Sequence, residues 1–294
     1  MSLQWPIALI APLLWGTTYG VTQHWLADID PLWVAALRSL LPGLMLLPLL
    51  RLTLWRQHGQ RLVILSLFNL AIFTCLLFAA ISRLPGGVAA TLVSTVPLQV
   101  LVLMWFSGGK PSWMSVLAAL TGVSGVALLV WQASEPLDWT GVVLALLAAL
   151  SLAIGGLLTQ KYGRDIPPLE LAAAQFLVAG FLLTAVAWFS TGTTPTMTSS
   201  NWLAMIWIGP IGLGVGYWSW FRSLRFLTID RLAFLGLLNP LVAVLLGLFM
   251  MNEQLSVLQQ AGMMLVLGSV LVAQKGGRKP VVVRTLKTGI EPAS

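Results

Sequence analysis

Residues 62–82 read LVILSLFNLAIFTCLLFAAIS, a run of 21 residues without a charged side chain. A helix that crosses the hydrocarbon core of a membrane needs about 20 mainly apolar residues, so this run is long enough to span a bilayer. It is also too long and too continuously apolar for a barrel strand, which alternates over about ten residues. The run therefore predicts a transmembrane helix.

Nine further runs of this kind occur along the chain. Apolar residues make up 58% of the sequence and charged residues 9%, whereas about a quarter of the residues of soluble proteins are charged. These values argue against a soluble enzyme, a nucleic-acid binder and a disordered chain, because so few charges cannot cover a soluble surface. We predict an all-α polytopic membrane protein with ten transmembrane helices. The spans, with approximate ends, are 5–26, 32–50, 62–82, 87–107, 112–131, 140–160, 169–190, 202–222, 231–250 and 256–274.

The basic residues predict how the chain is oriented. Fourteen of the 16 Lys and Arg residues fall on one side of the predicted spans, and Arg83 falls on the other. The positive-inside rule makes the basic side cytoplasmic, so both termini are expected in the cytoplasm. The fourteen residues are Arg51, Arg56, Arg61, Lys110, Lys161, Arg164, Arg222, Arg225, Arg231, Lys275, Arg278, Lys279, Arg284 and Lys287.

The two halves of the chain also align with each other. Each half contains five predicted helices, and five is an odd number, so the second half must enter the membrane from the opposite side. This pattern predicts two inverted five-helix repeats, the architecture of many secondary transporters, at residues 1–131 and 132–274, followed by a basic cytoplasmic tail at 275–294. The matches 137 residues apart include Thr22 with Thr159, Asp28 with Asp165, Pro31 with Pro168 and Gly43 with Gly180, and those 143 apart include Ala90 with Ala233, Pro97 with Pro240 and Gly125 with Gly268.

Three segments resemble the drug/metabolite transporter superfamily, in its ten-helix EamA-type branch. They are residues 14–20 (LWGTTYG) followed by Pro31 and Arg38, then Pro97 with Asn239-Pro240, and Asn252-Glu253. The resemblance implies a metabolite exporter or exchanger of the cell inner (plasma) membrane, related to the aromatic amino-acid exporter group. It also implies a cavity lined by helices 1, 3, 4, 6, 8 and 9.

Several polar and aromatic residues fall inside these helices. Trp15 and Tyr19 are four residues apart, so they share one face of helix 1, either as a stacking surface for a ligand or as packed core aromatics. Pro97 and Pro240 remove a backbone donor near the middle of a span and point toward a shared cavity, unless they are ordinary kinks. Asn239 suits a zwitterion or a hydrogen bond between helices. The predicted lining residues are Trp15, Tyr19, Asn69, Ser94, Pro97, Gln99, Ser151, Tyr217, Trp218, Asn239 and Pro240.

Arg38 is the one charged residue well inside a predicted span. Placing a charge in the membrane costs about 3 kcal/mol, so Arg38 should have partners. It can pair structurally with Asp28 or Asp30 at the outer mouth, or it can bind a substrate carboxylate. Its counterpart in the second repeat is Gln175, so the two halves differ at this position.

The remaining chemistry is defined by what the sequence lacks. No catalytic, nucleotide-binding or metal-ligand motif occurs, and the single cysteine, Cys75, lies in an apolar run, so we predict neither an enzyme nor a cofactor or metal. No Asp or Glu lies well inside a predicted span, which disfavours organic cations and a carboxylate proton relay. A single intramembrane arginine is too few for phosphorylated substrates.

These exclusions leave a neutral, zwitterionic or apolar substrate, with an apolar or aromatic amino acid fitting best. The expected partners are a small-molecule substrate and the lipid bilayer, without nucleic acid, and a monomer is compatible with the sequence. One alternative is a lipid or lipid-precursor flippase on the same fold. Another is a non-transporting membrane scaffold or sensor, which the short tail disfavours.

Overall fold

The computed structural model describes residues 4–81, 83, 92–129, 138–242, 245 and 256–276. These residues form ten helical segments, and no β-strand occurs among them. Two of the segments, α3 and α8 below, are α-helices with a π-helical stretch in the middle. The segments are α1 (Gln4–Trp25), α2 (Pro31–Leu46, followed by a 3₁₀ turn at Leu47–Leu49), α3 (Leu52–Ser66, Leu67–Ala71 and Ile72–Ile81), α4 (Val96–Phe106), α5 (Trp113–Leu129), α6 (Trp139–Tyr162), α7 (Pro168–Thr191), α8 (Ser199–Ile206, Trp207–Val215 and Gly216–Ser223), α9 (Ile229–Leu235, continued at 238–242) and α10 (Val257–Gly276).

Four of the described helical stretches are long and apolar enough to cross a membrane. They are Pro31–Leu49, Leu52–Leu77, Trp139–Tyr162 and Pro168–Thr191, and shorter apolar helices occur at Val96–Phe106, Trp113–Leu128 and Gln260–Ala273. Since a helix needs about 20 apolar residues to span the hydrocarbon core, the predicted count of ten spans stays a prediction.

Helix α3 begins at Leu52, well before the predicted start of the third span at residue 62. Its first turns are amphipathic, because Leu54 is buried whereas Arg56 is exposed. Arg56 and His58, which fall between the second and third predicted spans, therefore lie on this helix and not in a loop between helices. The continuous apolar run marks only the part of the helix that is apolar on all sides, and an amphipathic extension does not share that pattern.

Helices α4 and α9 are interrupted just before a proline. Residues 94–95 form a turn before α4, and Pro97 lies in the first helical turn that follows. In α9 the chain makes a turn at 236–237 before the helix resumes at 238–242, which contains Pro240. Proline has no N–H to donate, and its fixed φ suits the first turn of a helix, so it is favoured where a helix restarts.

The most extensive helix contacts join α2 with α7 and α5 with α10, followed by α3 with α6 and α1 with α8. Small residues permit these close approaches, as expected for membrane helices. A Cβ atom on Gly125 of α5 would lie 2.8 Å from the carbonyl oxygen of Gly262 on α10. The core is therefore formed by helices from both halves of the chain.

Two aspartates cap the helices that they precede. Asp30 accepts a hydrogen bond from the Leu32 N–H at 2.8 Å, and Asp138 accepts one from the Thr140 N–H at 2.7 Å. Such N-caps satisfy backbone donors that have no partner inside the helix. Arg83 adds an ion pair with Asp138 at 3.3 Å, which ties the end of α3 to the start of α6.

Candidate functional site

Five aromatic side chains from α1, α7 and α8 pack together in the interior, and we call them the aromatic cluster. The Tyr217 ring centroid lies 5.1 Å from that of Trp15 and 5.3 Å from that of Phe221. Phe176 contacts Tyr217 edge-on at 5.4 Å, and Trp220 lies 5.3 Å from Trp15. Tilted and edge-on contacts at these separations are favourable for aromatic rings. The predicted Trp15 and Tyr217 are therefore neighbours in one packed cluster.

Glycines of α8 allow the Trp15 indole of α1 to lie close to the α8 backbone. The Trp15 indole N–H donates to the carbonyl oxygen of Gly212 at 3.1 Å. A Cβ atom on Gly216 would lie only 2.5 Å from that indole nitrogen, so only glycine leaves room for the ring at this position. Gly212 belongs to the π-helical stretch of α8, a type of distortion that is frequent at functional sites.

Three polar side chains form a second group, the amide cluster, between α3, α6 and α7. The Asn69 Nδ2 amide donates to Thr159 Oγ1 and to Gln175 Oε1, both at 2.9 Å. Thr159 Oγ1 in turn donates to the carbonyl oxygen of Gly155 at 2.8 Å. Asn69, Thr159 and Gln175 are all buried, so these bonds satisfy polar groups that are removed from bulk solvent.

Tyr217 joins the two clusters. Its hydroxyl donates to the backbone carbonyl of Asn69 at 3.1 Å. Ser151 on α6 donates to the neighbouring carbonyl of Phe68 at 2.7 Å. Both acceptors lie in the π-helical stretch of α3. Four predicted lining residues, Trp15, Asn69, Ser151 and Tyr217, therefore belong to one connected network.

Arg38 lies close to this network. Its backbone packs against Gly209 of α8, where a Cβ atom would lie 3.2 Å from the Arg38 carbonyl oxygen. Pro42, four residues later in α2, has no N–H with which to bond that carbonyl. The two expected acidic partners also have other contacts: Asp30 caps α2, and Asp28 accepts from Asn201 at 3.4 Å.

Some buried polar atoms have no hydrogen-bond partner among the described residues. They include the Nε2 donor of Gln175, the Oδ1 acceptor of Asn239 and the Oε1 acceptor of Gln99. Unsatisfied buried groups are costly and uncommon, so each requires an explanation. A bound ligand with complementary groups is one such explanation.

The hydrogen bonds and ring contacts described above for the network do not include the other predicted lining residues. Gln99 on α4 donates to Thr95 Oγ1 at 3.1 Å and to the Leu146 carbonyl at 3.2 Å, between α4 and α6. The carbonyl oxygen of Asn239 lies 2.9 Å from where a Cβ atom on Gly16 would stand, so α9 packs closely on α1. The side chains of these residues are placed by different helix pairs.

The side chain of Trp218 does not join the aromatic cluster that contains its neighbour Tyr217. It lines an apolar groove on the outside of the helix packing, together with Pro42 and Pro210. Ser94 lies in the turn before α4, and Pro97 and Pro240 are buried in the first turns described above. The side chain of Tyr19 lies outside the described residues.

Five residues of the two clusters were not predicted from the sequence. Two of them carried a signal, because Gln175 occupies the repeat position of Arg38 and Thr159 that of Thr22. The others are aromatic residues that the sequence does not distinguish from packing residues. The five are Thr159, Gln175, Phe176, Trp220 and Phe221. Within the described part of the chain, no three His, Cys, Asp or Glu side chains converge as metal ligands would.

Membrane-length apolar helices that enclose a buried network of aromatic and amide side chains are typical of an integral membrane protein. The sequence model of the EamA-like transporter family matches residues 5–131 and again residues 139–273. The chain therefore belongs to the EamA-like transporter family, and the expected resemblance is confirmed.

Curated relatives and a solved structure agree with this membership. Protein PecM of Dickeya dadantii is 32% identical over 274 residues, with 91% of each chain covered. The uncharacterized transporter YvbV of Bacillus subtilis is 25% identical over 88% of this chain and 87% of its own. A biotin transporter of Salmonella typhimurium is 26% identical over 73% of this chain and 74% of its own. A crystal structure with 19% identity superposes with a TM-score of 0.79 over 93% of this chain and 98% of its own, which shows the shared fold.

Proposed function

We propose that this membrane transporter exports or exchanges neutral, apolar amino acids, above all aromatic ones, or similar small metabolites across the cell inner membrane by alternating access. The observation that carries the proposal is the joined aromatic and amide network. Its rings offer faces for stacking, and its amides and hydroxyls can hydrogen-bond to a zwitterion.

The charges of the described helices support this choice of substrate. Glu170 and Asp230 are each in the first turn of a helix, and Glu170 lies 3.8 Å from Arg51. Neither lies in the aromatic or the amide cluster, so neither cluster supplies a counter-charge for a cation. Arg38 lies on α2, where its backbone packs against Gly209 of α8, and a single guanidinium suits a carboxylate better than a phosphorylated substrate.

The helix contacts support the proposed two inverted repeats. An exchange of the two halves would turn the α1–α8 contact into the α6–α3 contact, and both contacts occur. The same exchange leaves the α2–α7 and α5–α10 contacts as they are, and these two are the most extensive. The family model also matches the chain twice, once in each half.

The polar bonds suggest which contacts change during transport. Asn69 joins α3 to α6 and α7, and the Tyr217 hydroxyl joins α8 to α3. In alternating access one repeat moves against the other around the site, so these hydrogen bonds between helices must break and re-form with other partners. The buried donor of Gln175 and the buried acceptor of Asn239 can then bind substrate groups in place of protein groups.

The experiment is counterflow of labelled substrate into liposomes that contain the purified protein. Tryptophan, phenylalanine and methionine should exchange, whereas lysine and a sugar phosphate should not. Biotin belongs in the panel because one relative is a biotin transporter. Exchange of labelled lipid between leaflets, with no amino-acid exchange by folded protein, would reject the proposal in favour of a flippase.

Two substitutions relate the exchange to the proposed site. Trp15→Ala and Asn239→Ala should each slow exchange while the protein remains folded. Trp139→Ala is the matched control, because Trp139 is 75% exposed at the start of α6 and contacts neither cluster. Wild-type exchange rates for both site variants would remove Trp15 and Asn239 from the substrate site.

A further inference from the structure

An apolar groove runs along the outside of the protein between α2, α7 and α8, and we call it the α2–α8 groove. Its volume is about 300 Å³, at the lower end of the range for ligand pockets. It has no charged side chain in its lining, so it is unsuited to a polar solute. Its walls include Pro42, Met45, Leu169, Pro210, Gly214 and Trp218.

The α8 wall of the groove leads to an arginine. Pro210, Gly214 and Trp218 follow one another at intervals of four residues, and the next residue in this series is Arg222. Trp218 and Arg222 both lie in the α-helical stretch Gly216–Ser223, where residues four apart share one face, so Arg222 lies about one turn beyond Trp218 toward the end of α8. Arg222 is exposed, and no ion pair found in the described residues involves it.

The same end of the groove is the one that the distribution of basic residues assigns to the cytoplasm. Arg51, just after α2, and Arg222, at the end of α8, both belong to the basic side of the chain. Glu170 is the acidic neighbour of the lining residue Leu169, but it is nearly buried and lies 3.8 Å from Arg51. Asp165, in the connection before α7, is also exposed, but the exposed basic residues Arg51, Lys161 and Arg222 outnumber it, so the net exposed charge at this end is positive.

We propose that the α2–α8 groove binds one acyl chain of an anionic phospholipid of the cytoplasmic leaflet, with the lipid phosphate at Arg222. The apolar walls match an acyl chain, and the exposed guanidinium matches a phosphate. Anionic lipids are concentrated in the cytoplasmic leaflet, where each nearby basic residue attracts them. The indole of Trp218 lies between the two parts, at the boundary that tryptophan prefers.

This site is separate from the proposed substrate site. Tyr217 faces the aromatic cluster, whereas Trp218 lines the groove. The proposal rests on membership of a membrane-protein family and on the groove. Its test therefore does not depend on which substrate is transported.

The test is native mass spectrometry of the purified full chain, with phosphatidylglycerol and phosphatidylcholine that carry identical acyl chains. The wild-type protein should retain phosphatidylglycerol in preference to phosphatidylcholine. Arg222→Gln should weaken phosphatidylglycerol binding about fivefold, the factor that corresponds to about 1 kcal/mol for one basic residue at a membrane surface. Arg222→Lys should keep most of the preference.

Each part of the site has a matched control. Arg56→Gln removes an exposed charge from the same side of the membrane and should leave the preference unchanged. Gly214→Leu should lower the retention of both lipids, because a Cβ atom there meets only Pro42 at 3.7 Å and the larger side chain would fill the groove. Gly268→Leu places the same bulk on an exposed part of α10 and should have no effect.

Three results would overturn the proposal. Equal retention of the two lipids by the wild-type protein would show that Arg222 does not bind the lipid phosphate. An unchanged preference in Arg222→Gln would show the same. Unchanged lipid retention in Gly214→Leu would remove the acyl chain from the groove. A dimer that is lost in Gly214→Leu while lipid retention is unchanged would assign the groove to a second copy of the chain.

Discussion

Gly43 on α2 and Gly180 on α7 make reciprocal contacts with each other's helix. A Cβ atom on Gly43 would lie 2.9 Å from the backbone nitrogen of Leu177, and a Cβ atom on Gly180 would lie 2.7 Å from the Cα of Leu40. Leu40 and Leu177 are 137 residues apart, as are the two glycines. The same contact therefore occurs twice with the halves of the chain exchanged, which supports the proposed inverted repeats.

The first prediction concerns this contact. Gly180→Ala should destabilise the protein by about 1–3 kcal/mol, because the new methyl group would press on backbone atoms that cannot move aside as a side chain can. Gly43→Ala should act in the same direction, since the contact is reciprocal. Unfolding in detergent, followed by heat or denaturant, measures the change.

Gly268→Ala is the control for this series, because no heavy atom lies within 4 Å of the position of its Cβ. Its unfolding midpoint should equal or exceed that of the wild type, since alanine favours a helix more than glycine does. Equal midpoints for Gly180→Ala and Gly268→Ala would contradict a close approach of α2 and α7.

The second prediction concerns the amide cluster. Asn69→Ala removes two hydrogen bonds at 2.9 Å and leaves the Gln175 Oε1 acceptor without the Asn69 amide that donates to it. Hydrogen bonds between membrane helices contribute about 0.6 kcal/mol on average and up to about 1.7, so the loss should be about 1–3 kcal/mol. A double-mutant cycle with Gln175→Ala should show a coupling energy of at least about 0.5 kcal/mol. The pair Asn69→Ala and Trp139→Ala should be additive, and additivity of the Asn69 and Gln175 changes would contradict a direct bond.

The sequence predicted an all-helical chain because its apolar runs are long and few charges interrupt them, whereas the count of ten spans stays a prediction. It missed the start of α3, since an amphipathic helix carries charges such as Arg56 that resemble those of a loop. Pro97 and Pro240 are visible in the sequence as residues that cannot donate a backbone hydrogen bond, and each lies in the helical turn that follows a break, at 94–95 and at 236–237.

The candidate site was only partly predictable, for a geometric reason. Whether Asn69 meets Gln175 depends on how α3 and α7 are rotated against each other, and no pattern within either helix fixes that rotation. Tyr217 and Trp218 show the same limit, because adjacent residues on a helix point in different directions. Tyr217 belongs to the aromatic cluster, whereas Trp218 lines the α2–α8 groove.

The third prediction separates two roles of Trp15. Trp15→Phe keeps an aromatic ring beside Tyr217 but loses the indole N–H bond to Gly212 at 3.1 Å. The loss of that bond should cost about 0.5–1.5 kcal/mol of stability. If the ring stacks on substrate, Trp15→Phe should retain most of the exchange rate and Trp15→Ala should lose it. Substrate titrations in the liposome assay, together with unfolding midpoints, measure both effects, and equal exchange in the two variants would exclude stacking.

The last prediction concerns pH. The pKa of the Asp138 carboxyl lies below its ordinary value of 3.8, mainly because the carboxylate accepts a hydrogen bond from the Thr140 backbone N–H. The Arg83 guanidinium lowers this pKa further. A group whose pKa is lowered by folding contributes stability above its unfolded pKa and loses that contribution as the pH falls toward its folded pKa. Asp138→Ala should therefore lower the unfolding midpoint at pH 6, and the difference from the wild type should shrink below about pH 3.8.

Two further variants make the pH prediction specific. Asp138→Asn should lower the midpoint by an amount that varies less with pH than for Asp138→Ala, because an asparagine cap still accepts from the backbone at any pH. Arg83→Gln should have a smaller effect than Asp138→Ala, since it removes the ion pair at 3.3 Å but leaves the cap on Thr140. A difference between Asp138→Ala and the wild type that stays constant from pH 6 to pH 3 would show that the carboxylate charge does not stabilise the start of α6.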